Sequence, residues 1–261
     1  MNIFINDRWQ SKDYLAHYYS ADKLVYDEVL IFKYIYHFLL RFKKNSFNDL
    51  LDFGSGPTIH RLIPFTDYIN NMYVADYLPE NLQEIKLWLS NKNNAHNWDK
   101  QIEDIVRIQY RNQMKSLNFL KEKVRAKKII LRSKVKNIIQ CDAFSKKPFL
   151  GVNKKFDIVT SFYCLDSITE SKVKWKKGTG NLLQLVKPGG WVIISALRNT
   201  SHYMVSNAIF PSPNINEKDF IKVFSRNKFN LKTINFKIIS AKPWLDSGIK
   251  SLMILSAQKL K

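Results

Sequence analysis

Apolar positions along the chain fall into alternating helical and strand-like stretches. Leu24, Leu30, Ile31, Tyr34, Ile35 and Phe38 recur at helical spacing within residues 22–43. The run Asn48-Asp49-Leu50-Leu51-Asp52-Phe53 follows and stops at Gly54-Ser55-Gly56-Pro57-Thr58. That order predicts a buried strand, a tight turn and a helix start, with Pro57 in the first helical turn. Residues 72–76 read as a second strand, and Leu82, Ile85, Trp88 and Leu89 mark the helix after it. Further strands are predicted at 135–141, ending at Asp142, at 156–161 and at 191–195. A helix over about 170–186 lies between the last two, closed by the stop-and-turn signal Lys187-Pro188-Gly189-Gly190.

Strands alternating with helices imply an α/β fold, a Rossmann-like, doubly wound and mostly parallel sheet covered on both faces. The tail changes character: a helix near 217–227 precedes strand-like runs at 231–239 and 251–260, which predict an antiparallel C-terminal edge hairpin. Residues 91–133 are rich in Lys, Arg, Gln and Asn, with Ile102, Ile105, Ile108, Leu117 and Leu120 at amphipathic spacing. They read as a basic helical insertion laid outside the sheet. The first 20 residues are aromatic and polar without clear period. The expected organisation is an N-terminal segment with its helix at 1–45 and a main domain at 46–261.

Composition narrows the classes. Of 261 residues 45% are apolar and 13% aromatic, enough for a sizeable core and against global disorder. The net charge of +20 admits an anionic partner, nucleic acid included, with the basic segment 121–128 as its footprint. The plainer reading is a lysine-rich solvated surface. Cys141 and Cys164 make no disulfide framework and suit a reducing compartment. Asp27, Glu28, Lys33 and His37 interrupt the apolar run 24–42, so it does not span a bilayer. Residues 1–8 lack the order of a signal peptide. The expectation is a soluble, cytoplasmic protein without a membrane partner. Its five scattered histidines have no metal-ligand spacing.

The candidate chemistry sits at strand ends, where open α/β sheets bind ligands. Gly54 and Gly56 let backbone approach a ligand, but Ile59 breaks the G-x-G-x-x-G dinucleotide fingerprint. Asp76 ends the second strand about 20 residues after the glycines, where an acid accepts ribose hydroxyls. Asp142 ends the third strand beside Ala143, where an adenine would lie. With Asp52, three acids at successive strand ends match a positively charged nucleoside better than a pyrophosphate. S-adenosylmethionine is such a ligand.

Residues 51–59 resemble the first motif of the family containing nicotinamide, phenylethanolamine and indolethylamine N-methyltransferases and thioether S-methyltransferase. So do Ala75-Asp76-Tyr77 with Glu80-Asn81-Leu82-Gln83-Glu84, Trp88-Leu89 and Trp98. Gln140-Cys141-Asp142, Cys164-Leu165-Asp166, the run 185–190 and Ala196-Leu197 continue the likeness. Residues 13–19 resemble that family's tyrosine-rich lid. The resemblance implies that Gly54, Ser55, Gly56 and Thr58 line the methionine and ribose of S-adenosylmethionine. Asp76 and Tyr77 would hold the ribose with Asn81 nearby, Asp142 and Ala143 would meet the adenine, and Tyr14 and Tyr19 would fold over the cofactor. Tyr163 and Tyr203 would sandwich the acceptor, Tyr18 would close that pocket, and Asp166 would stand as an acid beside it. Ser195 occupies a position where the nicotinamide enzyme has an acid, and the loop after it brings in Arg198 and His202. The expected function is methyl transfer to a small-molecule amine or aza-aromatic nitrogen. Competing readings are an O- or S-methyltransferase, an RNA methyltransferase and a non-catalytic scaffold.

Overall fold

A computed structural model of the chain describes residues 9–20, 23–114, 116–149 and 154–261. Residues 1–8, on which the signal-peptide reading rests, and position 115 of the insertion lie outside the described residues. The central sheet has the order β3-β2-β1-β4-β5-β9-β8. Its strands are β1 (Phe47–Phe53), β2 (Ile69–Asp76), β3 (Val135–Gln140), β4 (Phe156–Phe162), β5 (Val186–Arg198), β8 (Phe229–Ser240) and β9 (Ser251–Lys259). The first five pair in parallel, and β9 inserts antiparallel between β5 and β8. The predicted doubly wound sheet with a C-terminal antiparallel pair is therefore present. The order reverses between β1 and β4, which opens a crevice above their carboxyl ends.

Helices cover both faces. On one lie α2 (Tyr26–Leu39), α4 (Asp99–Gln109), α5 (Leu117–Lys134) and a 3-10 helix at His60–Asp67. Ile31, Ile35, Leu62, Ile63, Ile102, Ile105 and Leu131 share a core there with Met72 and Ile193 of the sheet. On the other, Trp175, Leu182 and Leu183 of α6 (Lys172–Gln184) pack with Phe220 and Phe224 of α7 (Glu217–Arg226) against Val159, Val192 and Leu255. Among the described residues no helix is long and apolar enough to cross a membrane.

The insertion holds the two helices α4 and α5. One of its lysines does not face water: Lys127 is 2% exposed, paired with Asp67 at 2.8 Å and bonded to Thr66. Four local readings need correction. No helix begins at Pro57; the chain turns and then forms the 3-10 helix, whose Pro64 lacks the N–H an α-helical bond requires. The run 187–190 is not a turn but the start of β5. The aperiodic N-terminus contains α1 (Ser11–Tyr19), and a separate hairpin, β6 (His202–Val205) with β7 (Ala208–Pro211), stands where only a loop was read.

Candidate active site

The turn after β1 is built from backbone. Gly54 and Gly56 sit at φ +67° and +60°, a region that glycine enters without steric cost. The amides of Gly54 and Ser55 donate to the Ala75 carbonyl at 2.7 and 3.1 Å, tying the turn to the end of β2. A Cβ on Gly54 would lie 2.0 Å from Cys164 Sγ, whereas one on Gly56 would project into open space. At Gly56, then, bare backbone faces a void.

Asp76 organises the neighbouring loop. Its Oδ2 accepts from the Gly56 amide at 2.8 Å, and its Oδ1 accepts from the Leu78 amide and Asn81 Nδ2, both at 2.9 Å. A carboxylate offers about four acceptor sites, so capacity remains on the cavity side. Burial raises its pKa and the three donors oppose that rise. Asn81, in α3 (Pro79–Leu89), accepts in turn from Trp9 Nε1 at 3.1 Å and Ser11 Oγ at 2.8 Å, which links the N-terminal segment to the Asp76 loop. Asp142 is exposed to the cavity, with Oδ1 accepting from the Phe144 amide.

The far end is built from side chains brought together from distant segments. Tyr163 follows β4 directly at φ +53°, an outlier for a bulky residue, of the kind that costs on the order of 1–3 kcal/mol and clusters at functional sites. Its hydroxyl is buried without a protein partner among the described residues. Tyr203 of β6 stacks on Phe210 of β7 at 5.4 Å and donates to the Ser167 carbonyl. Tyr18 donates to the Met204 carbonyl at 2.7 Å and meets the Trp244 ring edge-on at 5.2 Å. Trp244, in the turn after β8, donates its indole N–H to Asp27 Oδ1 at 2.9 Å.

Beneath these aromatics lies a buried polar network that the sequence reading did not single out. Glu28 accepts from Arg61 Nη2 at 3.1 Å and from Tyr19 Oη at 3.1 Å, and His60 Nε2 lies 3.1 Å from its other oxygen. Burial lowers the His60 pKa and Glu28 opposes that fall; the Glu28 carboxylate carries no proton, so Nε2–H is the donor between them. Burial alone would push the Glu28 carboxyl up, but His60 and Arg61 beside it outweigh that and hold it at about 2. Leu15 and Tyr19 of α1 belong to the main core, so this helix is anchored and not merely draped over the cavity.

A single cavity of about 330 Å³ joins the two ends. Of the predicted residues, Tyr14, Tyr18, Tyr19, Gly54, Ser55, Gly56, Asp76, Tyr77, Asn81, Asp142, Ala143, Tyr163 and Tyr203 all line it. Asp52, Thr58, Asp166 and Ser195 do not. Asp52 lies under the turn and accepts from Thr160 Oγ1 at 2.8 Å; burial pushes its pKa to about 6. Thr58 turns inward to donate to the Ser55 carbonyl at 2.7 Å. The Asp166 carboxylate points back toward β5 and accepts from the Leu197 amide at 2.8 Å; burial raises its pKa to about 7. Ser195 is fully buried in β5, and its carbonyl accepts from the Tyr163 amide. The expected cations are absent from the wall as well: Arg198 pairs with Glu217 at 2.9 Å, and exposed His202 contacts Ser201. The cavity residues that sequence reasoning missed include Asp27, Glu28, Arg61 and Trp244. The one available signal was a pair of adjacent acids inside an otherwise apolar helix.

The open backbone at Gly56, the spare acceptor capacity of Asp76 and the exposed Asp142 fit a ribonucleoside cofactor with positive charge. Comparisons with known proteins agree. The NNMT/PNMT/TEMT family model matches residues 3–260. Human nicotinamide N-methyltransferase is 30% identical over 205 residues, covering 77% of this chain and 74% of that protein. Mouse indolethylamine N-methyltransferase is 28% identical, covering 74% and 72%, and human phenylethanolamine N-methyltransferase 23%, covering 81% and 73%. Among solved structures, the DhpI–SAM–HEP complex shares the fold at a TM-score of 0.52 and 10% identity, covering 95% of this chain and 91% of that one. The CurJ carbon methyltransferase does so at 0.54 and 12% identity, covering 89% and 54%. The chain belongs to the NNMT/PNMT/TEMT family and is an S-adenosylmethionine-dependent methyltransferase.

Proposed function

We propose that the chain methylates a nitrogen of a small, flat acceptor in the cytoplasm. The observation that carries this reading is the aromatic chamber of Tyr18, Tyr163, Tyr203 and Trp244, which opens onto the glycine turn within one cavity. Aromatic walls favour flat or cationic guests, and offset stacking adds about 0.5–1.5 kcal/mol beyond area burial. The relatives named above are N-methyltransferases, which supports nitrogen over oxygen or sulfur.

On this reading Gly54, Ser55 and Gly56 hold the methionine and ribose portion, Asp76 and Tyr77 the ribose with Asn81 beside them, and Asp142 and Ala143 the adenine. Bound there, S-adenosylmethionine would supply a methyl group activated on a sulfonium, open to in-line attack by a nitrogen lone pair that forms the C–N bond as the C–S bond breaks and its electron pair goes to sulfur. Thr58 and Asp52 support the turn from below. Within the N-terminal segment, α1 acts as a lid in which Tyr14, Tyr18 and Tyr19 exclude water from the reacting atoms. Tyr163 and Tyr203 hold the acceptor's faces. Near-attack alignment of this kind is worth about 7–11 kcal/mol, so the chain needs no nucleophile of its own. Asp166 acts as a positioning residue, since its carboxylate fixes the backbone of Leu197, a wall residue. Ser195 fixes Tyr163 in the same indirect way through its carbonyl.

A screen of pooled amine, aza-aromatic, thiol and carboxylate acceptors for S-adenosylhomocysteine release tests the reading. N-methylated products are expected from the nitrogen pools. Turnover confined to the thiol or carboxylate pools would overturn it.

A further inference from the structure

The protein is strongly basic overall, yet its cavity is acidic. Among the described residues the wall carries the carboxylates of Asp27, Glu28, Asp76 and Asp142 against the single guanidinium of Arg61. Asp76 and Asp142 stand at the ends of β2 and β3, beside the glycine turn. At the far end the charges are Glu28, Arg61 and Asp27. Glu28 and Arg61 cancel each other through a 3.1 Å ion pair with both side chains 4% exposed. Asp27 has no such partner. It is 5% exposed, its carboxylate accepts from the Trp244 indole, and among the described residues it forms no salt bridge. The two adjacent acids of α2 therefore have opposite roles: Glu28 is locked into the scaffold, while Asp27 presents uncompensated negative charge to the chamber.

The surroundings suit that charge to a cation. Trp244 is held by Asp27 and abuts Tyr18, so the carboxylate lies at the edge of aromatic rings, the combination that attracts alkylammonium and aromatic cations. Burial raises the Asp27 pKa, with Glu28 adding to the rise and the Trp244 hydrogen bond and the nearby Arg61 only partly opposing it, and a bound cation would lower it. Arg198 and His202, which would have suited an anionic acceptor, face elsewhere.

We propose that Asp27, held by Trp244, is the specificity-determining residue of the acceptor chamber and selects acceptors that bind as protonated amines, whose proton passes to water before the freed lone pair takes the methyl. This rests on the reading of the far end as the acceptor site.

Calorimetric titration of the S-adenosylhomocysteine-loaded full chain with 2-phenylethylamine and with its neutral isostere 2-phenylethanol tests the proposal without turnover. The unmodified chain is expected to bind the amine at least tenfold more tightly than the alcohol. Asp27→Asn, which keeps an acceptor for Trp244, should bring the two within about twofold while S-adenosylhomocysteine affinity stays unchanged. Asp27→Ser should do the same if the amide variant folds poorly, with S-adenosylhomocysteine binding as the check on folding. Equal affinity for the two probes in the unmodified chain, binding of neither, or discrimination that survives both substitutions would overturn the assignment. The acceptor screen above is independent of it: N-methylation of neutral heterocycles alone would sink the role of Asp27 and leave N-methyl transfer standing.

Discussion

At the strand-end side of the cavity the wall is mostly backbone, held by short-range bonds. Gly54, Ser55 and Gly56 follow β1 directly, Asp76 closes β2, and Asp76 bonds the Gly56 amide across the strand pair. At the helical side the wall is mostly side chain, assembled from α1, α2, the 3-10 helix, β6 and the turn after β8. Tyr18 reaches Met204, Trp244 reaches Asp27, and Arg61 bridges Tyr19 and Glu28. Parallel strands fix the first region through their register. Buried electrostatics and ring packing fix the second. A ligand common to many acceptor chemistries suits the rigid half, and acceptor choice can vary with the side chains of the other.

The difference can be broken from either side. The largest effect is expected at the helical half from Glu28→Gln, which leaves Arg61 buried without its countercharge. Losing one partner of a buried pair typically costs about 3–5 kcal/mol. Glu28 has a folded pKa of about 2 against an ordinary 4.5, so its stabilisation is present above pH 4.5 and is lost as pH falls toward 2. The difference in Tm between the natural chain and the variant should therefore be widest near neutrality and narrow across that window. A pH-independent gap would mean that Glu28 is not ionised in the fold.

At the strand-end half, Gly54→Ala combines a left-handed φ for a residue with Cβ and a clash with Cys164. Together these cost about 2–5 kcal/mol, and S-adenosylhomocysteine affinity should fall more than tenfold in calorimetry. Gly54→Ala with unchanged affinity would remove the turn from the site. Asp166→Asn is expected to act more mildly. The amide oxygen can still accept from Leu197, so kcat should fall several-fold while KM for S-adenosylmethionine holds. Its stability carries a second signature. The Asp166 pKa is raised by burial to about 7 from 3.8, so the native fold favours its protonated form, and that contribution is lost as pH rises through 7. The Tm of Asp166→Asn should accordingly gain on the natural chain between pH 4 and 7. The smallest change is Gly56→Ala, where open space leaves only the left-handed strain of about 1–2 kcal/mol for a chain free of ligand. A methyl there projects into the cavity, and thermal melts without and with S-adenosylhomocysteine separate the strain from the loss of binding.

The same division explains what could be read from the sequence. Gly54, Gly56, Asp76 and Asp142 were legible because each lies at the end of a periodic apolar run, so local pattern and site coincide. The C-terminal strand pair was legible for the same reason. Asp27 and Trp244 were not, because 217 residues separate them and only the packing of α2 beside the turn after β8 brings them together. The helix α1 was hidden by tyrosines that count as neither clearly apolar nor polar, although Leu15 and Tyr19 are buried. The β6–β7 hairpin turns at Ser206 with φ +52°, a residue with no strong turn signature. Asp166 was read as an acceptor-side acid because its position along the chain is right. Sequence spacing carried no information on which way the carboxylate turns, and the Leu197 amide captures it.

The central claim is that the strand-end half of this cavity binds S-adenosylmethionine through Asp76. Titrating S-adenosylhomocysteine into the natural chain and into Asp76→Ala tests it most directly, because charge-assisted hydrogen bonds contribute about 1.5–3 kcal/mol each. The account predicts saturable one-to-one binding to the natural chain and a loss of tenfold to a hundredfold, by order of magnitude, in a variant that still melts cooperatively. Unchanged affinity in that folded variant would contradict it.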